Sequence, residues 1–246
     1  MNLKPILRYQ CLEVSKAFFP FYFFIFLQNF FQILIDPSPD TPSTFRGNEI
    51  ATMIVCFVIG ILIFKNNFRF FTSFSVSRKR LFFGFLSGLG LTSLAVSLID
   101  TFNFAVFSKF MKYHTLYLIM AQNVIGKNLD TTPITPSLIF ANWLWCFLEY
   151  LCVALFGLLI GALYYRMSKP VKIIVSVGVP SILFLILPLI DSNLAKGRIL
   201  HFLVDTFVWW VNLSLKTGSD LFSRLAMAAT FLGLFWLLLR KAEVKA

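Results

Sequence analysis

Six stretches of this chain, near residues 18–35, 49–64, 81–100, 140–165, 171–190 and 222–239, are apolar almost throughout, and that pattern leaves few folds open. In hydrocarbon a backbone must satisfy its own hydrogen bonds, so runs of about 20 apolar residues become helices that cross roughly 30 Å of bilayer. The second run is short for that task and needs interfacial residues or a tilted neighbour. With 58% hydrophobic residues and 31 Phe among 246, the chain lies outside the soluble globular range. The expected fold is all-α: a polytopic membrane protein of six transmembrane helices in one domain, residues 1–246.

Charge sets the expected orientation. With the N-terminus inside, the inner segments carry Lys4, Arg8, Lys16, Lys65, Arg69, Arg78, Lys79, Arg80, Arg166, Lys169, Lys172, Arg240, Lys241 and Lys245, against the acids Glu13 and Glu243. The outer segments balance 8 basic residues (Arg46, Lys109, Lys112, Lys127, Lys196, Arg198, Lys216 and Arg224) with 8 acids, among them Glu49 and Asp100. Cytosolic loops collect Lys and Arg, so both termini are expected in the cytosol. The net charge of +11 is then topological and argues against nucleic acid as the partner.

Two segments add detail at the inner face. Residues 65–80, KNNFRFFTSFSVSRKR, hold five basic residues and no acid, with Phe68, Phe71 and Phe74 at helical spacing. Such an apolar face with a basic flank suits docking onto a protein beneath the membrane, or phenylalanines dipping into the headgroups of a positive-inside anchor. Residues 1–17 are amphipathic and are expected to lie along the inner surface before turning into the first span at Pro20. The basic start of Met1 to Phe31 is too long for a signal peptide and no small-residue cleavage site follows, so it is read as part of the mature fold. On the outer side, Asp36 to Thr44 is a proline-stiffened turn. The region 191–221, with an apolar stripe of Ile199, Phe202, Leu203, Phe207 and Trp210, is expected to be re-entrant or to lie flat on the surface.

Few residues offer chemistry. Glu149 is the one acid expected well inside a span, where it lines a translocation path, pairs with a basic residue of a neighbouring subunit, or packs neutral between helices. Gly84/Gly88 and Gly157/Gly161 form two G-x-x-x-G patterns, and the third and fourth spans are expected to cross there. Pro180 and Pro188 are positioned to kink the fifth span. Cys11, Cys56, Cys146 and Cys152 lack metal or disulfide spacing and read as packing residues. His114 and His201 have no zinc-motif neighbours; there is no nucleophile elbow and no phosphate-binding G-x-x-x-x-G-K-[ST] loop, so no metal and no catalytic residue is expected. Asn212-Leu213-Ser214 matches a glycosylation acceptor but sits beside Trp209 and Trp210.

Taken together, the amphipathic start, six spans with both ends inside, and a basic aromatic loop containing Ser75, Ser77, Arg78 and Lys79 ahead of Phe82 resemble the ABC-2 type permeases. The resemblance covers the layout of most of the chain and the residues of about fifteen positions. It implies a transmembrane subunit of a bacterial ABC exporter in the plasma membrane, a homodimer that binds two copies of a separate ATPase. ATP and Mg would belong to that partner, and this chain would hold no cofactor. Residues 65–80 would form the coupling loop through Phe68, Phe71 and Phe74, residues 2–16 the elbow helix, and residues 194–219 the re-entrant outer helices. Small permeases of this kind imply amphipathic peptides as cargo. Competing readings are an immunity or sensor protein that binds peptides without transport, and an intramembrane hydrolase or transferase using Glu149 with His114 or His201.

Overall fold

A computed structural model describes residues 4–35, 45–46, 48–74, 76–109, 113–119, 134–178, 181 and 220–240. Its elements are α1 (Lys4–Ile35), β1 (Phe45–Arg46), α2 (Glu49–Ser73), α3 (Arg78–Phe107), β2 (Tyr113–His114), α4 (Pro136–Arg166), the short α5 (Lys169–Ile173) followed by a π-turn (Ile174–Gly178), and α6 (Asp220–Arg240). Among the described residues the fold is helical apart from one parallel bridge that pairs Phe45 with Tyr113 and Arg46 with His114. By length and composition, three helical segments among the described residues can cross a membrane: Leu7–Phe31, Arg78–Phe107 and Pro136–Arg166. The second expected span, Glu49–Phe64, forms a shorter apolar stretch within α2.

Local sequence explains where these helices begin and end. Ser77 takes the extended N-cap conformation before α3, and its carbonyl accepts from Leu81 N–H at 3.1 Å. At α4, Thr135 caps with its hydroxyl 3.4 Å from Leu138 N, and Pro136 occupies a first-turn position where the missing N–H costs nothing. The Met167 N–H closes the other end onto Tyr164.

Glycine decides how α2 and α4 cross. A Cβ on Gly60 would lie 2.9 Å from Leu158 N, one on Gly157 3.3 Å from Gly60 Cα, and one on Gly161 2.7 Å from Ile61 O. Each of these glycines also has a facing backbone oxygen, of Ala154, Phe57 and Ile61 in turn, too close to admit a side chain, so the backbones touch, and this is the most extensive helix contact among the described residues. The expected crossing of third and fourth spans at paired G-x-x-x-G patterns is therefore corrected. Gly157 and Gly161 receive α2, through Gly60, which belongs to neither pattern, whereas Gly88 faces Gln10 of α1. Gly84 is buried one turn earlier in α3.

Contacts at the helix ends show that α1 and α3 run one way and α2, α4 and α6 the other. Tyr9 stacks on Phe70 at 4.9 Å, Arg78 donates to the carbonyl of Arg240, and Phe68 meets Tyr165 at 5.3 Å. Phe26 meets Phe107 at 5.8 Å at the opposite end. One end of the bundle thus gathers Arg8, Arg78, Lys79, Arg80, Arg166 and Arg240. An aromatic core of Phe64, Phe68, Phe85, Tyr165 and Phe235 locks α2, α3, α4 and α6 together just above it.

Two expectations about the inner segments change. Within the described residues, 4–17 do not form a separate elbow: α1 is continuous through an exposed Pro20, whose lost hydrogen bond removes only one rung of a long helix. Nor are residues 65–80 a loop of sixteen residues, because α2 extends through Ser73 and only residues 74–77 separate it from α3. Expectations for 36–44, for Pro180 and Pro188, and for 191–219 with His201 fall outside the described residues.

Candidate functional site: a buried polar cluster

The end of the bundle opposite the basic residues encloses Asp100 and Glu49, which the charge count placed on the outer side, together with hydroxyl groups from within the spans. Asp100 is 6% exposed on α3, and the Tyr150 hydroxyl from α4 donates to its Oδ2 at 2.6 Å. The hydroxyls of Thr52 on α2 and Tyr22 on α1 face the same carboxyl. Four helices therefore contribute to one site. Tyr22 also reaches the carbonyl of Val96 at 3.4 Å, and Thr52 bonds back to Asn48 at 3.3 Å.

Glu49, at the first turn of α2, is 2% exposed and shares the electrostatic surroundings of Asp100; its Oε2 has no hydrogen-bond partner among the described residues. No described cation pairs with either carboxyl. Above them Tyr113 closes the cluster from β2. Burial, reinforced by the Glu49 and Asp100 carboxyls, pushes its phenol up from its ordinary value. Cys56 and Cys146 lie buried beside the acids as free thiols, and Cys11 and Cys152 are free as well. Among the described residues no group of three or more His, Cys, Asp or Glu side chains is arranged to hold a metal.

Glu149 occupies a second, adjoining position. It forms an ion pair with Arg224 of α6, and the Arg224 guanidinium also lies 4.7 Å from the Trp145 ring centroid. Cys152 points its thiol at the Arg224 carbonyl, 3.5 Å away. The pair heads a small cavity of about 240 Å³ between α4 and α6, lined by Cys152, Val153, Phe156, Met227 and Phe231. Its partner comes from this chain, where the sequence alone left a neighbouring subunit open. The carboxylate is engaged by Arg224, while His114 sits in the β2 bridge against Arg46.

At the basic end the structure separates the three phenylalanines expected to form one docking face. Phe68 and Phe71 are 1% and 6% exposed, the former in the aromatic core and the latter edge-on to Tyr9. Phe74 is 66% exposed and stacks edge-on with the exposed Phe70. The expected single face of Phe68, Phe71 and Phe74 is thus not formed: the continuing helix turns Phe68 and Phe71 inward and leaves Phe70 and Phe74 exposed. Ser77, Arg78 and Lys79 are exposed beside them, and Ser75 lies outside the described residues.

Sequence reasoning missed Asp100, Glu49, Tyr22, Thr52, Tyr150 and Arg224. Asp100 and Arg224 lie within about two turns of a helix end, where a hydropathy window cannot separate a loop charge from a buried one. A usable signal was present: Tyr150 adjoins Glu149 in an apolar run, and Asp100 sits in SLIDTFNF with no neighbouring charge. No protein-family model matches the chain, and no curated protein or solved structure matches it.

Proposed function

We propose that the chain is the transmembrane permease subunit of an ATP-driven exporter. It spans the membrane six times with both termini cytosolic, pairs as a homodimer in a bacterial plasma membrane, and binds two copies of a separate ATPase that carries ATP and Mg. The observation that carries this reading is the α2–α3 corner. There Phe70 in the last turn of α2 and Phe74 just beyond it stand exposed at the basic end, near Arg78, Lys79 and Arg80 at the start of α3. A soluble partner that docks on this corner would engage the end of α2 and the start of α3 together. The buried Asp100 cluster supports a working interior, since polar groups held among apolar helices are costly and mark functional paths. Amphipathic peptides fit as cargo, given the phenylalanine-rich walls.

Co-purification tests the proposal. Wild-type protein should bring down a stoichiometric subunit that hydrolyses ATP, and Phe70→Asp with Phe74→Asp should release it while the permease keeps its melting temperature. Full retention of hydrolysis by that variant would refute the docking role.

A further inference from the structure

Glu49 enters the buried cluster with one oxygen unaccounted for. It is 2% exposed, and the backbone N–H groups of Glu49 itself and of Leu116 face its carboxyl, yet its Oε2 has no hydrogen-bond partner. Asp100 acts on it as a like charge. Among the described residues no cationic side chain forms an ion pair with either acid. Two anionic carboxylates enclosed together without a cation lose their hydration and repel each other, so one of them takes up a proton.

The surrounding groups decide which. Asp100 faces three hydroxyls, those of Tyr150 at 2.6 Å, Tyr22 and Thr52. That length belongs to a charge-assisted bond from a hydroxyl to a carboxylate, and two or three such donors hold a carboxyl in its charged form. The same hydroxyl hydrogens occupy the lone pairs that a metal ion would need, which makes Asp100 a poor cation ligand. The other groups facing the two acids are Cys56 of α2, Cys146 of α4 and Tyr113 of β2, none of them a cation. A second unpartnered side chain lies on the facing helix. Asn142 is 1% exposed, one turn before Cys146 and two before Tyr150 on the same face of α4, and neither its Nδ2 nor its Oδ1 has a partner.

We propose that Glu49 and Asp100 form a proton-binding site at the end of the bundle opposite the basic residues, one proton being carried on Oε2 of Glu49 while Asp100 stays ionised. The proton is exchanged with water at the end where α2 begins, and Oε2–H is the one bond that forms or breaks. Asn142 supplies acceptor capacity for the resulting hydroxyl from the facing helix. The inference rests on the buried cluster and not on the transport reading.

Infrared spectroscopy of the full chain in detergent, isotopically labelled at glutamate, tests it without any ATPase. At neutral pH the wild type should show the carbonyl band of a protonated carboxyl, shifted by the label, lost in Glu49→Gln and kept in Glu13→Gln. Thermal unfolding gives an independent reading. An unfolded glutamate ionises near about pH 4.3, so a proton kept by the folded chain and lost on unfolding makes stability fall as pH rises above that value. Between about pH 5 and 8 the unfolding temperature of the wild type should therefore fall relative to that of Glu49→Gln, in which the nearby basic residues Arg46 and His114 are unchanged. Absence of a protonated glutamate band from the wild type would overturn the assignment whether or not the variants fold. Loss of that band in Glu13→Gln instead, or parallel pH curves for wild type and Glu49→Gln, would overturn it as well. So would stabilisation of the wild type, but not of Glu49→Gln, by sodium or potassium at fixed ionic strength, which would make the pair a metal-cation site.

Discussion

Replacing Glu149 by Leu removes the carboxylate from Arg224, which is 6% exposed and set against Trp145 between α4 and α6. Breaking a largely buried ion pair from one side removes the carboxylate that offsets the desolvation of Arg224, at a cost of up to about 4 kcal/mol. For a chain of this size that upper value lowers the melting temperature by about 8 to 16 °C. Glu149→Gln keeps an acceptor and loses only the charge assistance, so it costs about 1 to 2 kcal/mol. The double variant Glu149→Leu with Arg224→Leu removes both charges and should return to within about 1 kcal/mol of the wild type. Fluorescence-monitored thermal unfolding of the wild type, the two single Leu variants and the double variant in one detergent gives the coupling energy, expected above about 2 kcal/mol. A Glu149→Leu variant within about 0.5 kcal/mol of wild type, or a double variant as damaged as the sum of its parts, would refute the pair as a structural clamp.

Other outcomes follow from the same contacts. Gly157→Val should separate α2 from α4 and cost at least about 1 to 3 kcal/mol in thermal unfolding, because the new side chain meets the Phe57 carbonyl and Gly60, while Gly233→Ala, with nothing within 4 Å, should be neutral or slightly stabilising. Tyr150→Phe deletes the 2.6 Å hydrogen bond to Asp100 and should cost about 1 to 2 kcal/mol by the same unfolding assay. Phe68→Asp should abolish folded yield in size-exclusion chromatography, and Phe74→Asp should not, since one is enclosed in the aromatic core and the other faces outward.

Helix α3 and helix α4 were legible as apolar runs near 81–100 and 140–165, while their full extents, Arg78–Phe107 and Pro136–Arg166, were not, since the last two turns of α3 carry Asp100, Thr101 and Asn103. Segregation of the basic residues was legible too, and the structure gathers Arg8, Arg78, Lys79, Arg80, Arg166 and Arg240 at one end, with Arg46, Lys109 and Arg224 toward the other. The fate of residues 65–73 was not. Lys65, Asn66 and Asn67 look like the start of a loop, yet α2 continues through them and buries Asn67 with Phe68 and Phe71. Composition cannot report that, because burial there is imposed by Tyr9, Phe64 and Tyr165 from three helices. The polar cluster was hidden for a related reason: Asp100, Thr52, Tyr22 and Tyr150 are each ordinary in their own segment, and only packing brings them to one point.

The central claim, that the α2–α3 corner is cytosolic and seats an ATPase, is tested most directly by Phe74→Cys in a chain whose Cys11, Cys56, Cys146 and Cys152 are replaced. In sealed cells the new thiol should resist a membrane-impermeant maleimide and react once the membrane is opened. A short bifunctional cross-linker should then join it to a nucleotide-hydrolysing subunit. Labelling of position 74 in intact cells, or a cross-link pattern without such a subunit, would contradict the account.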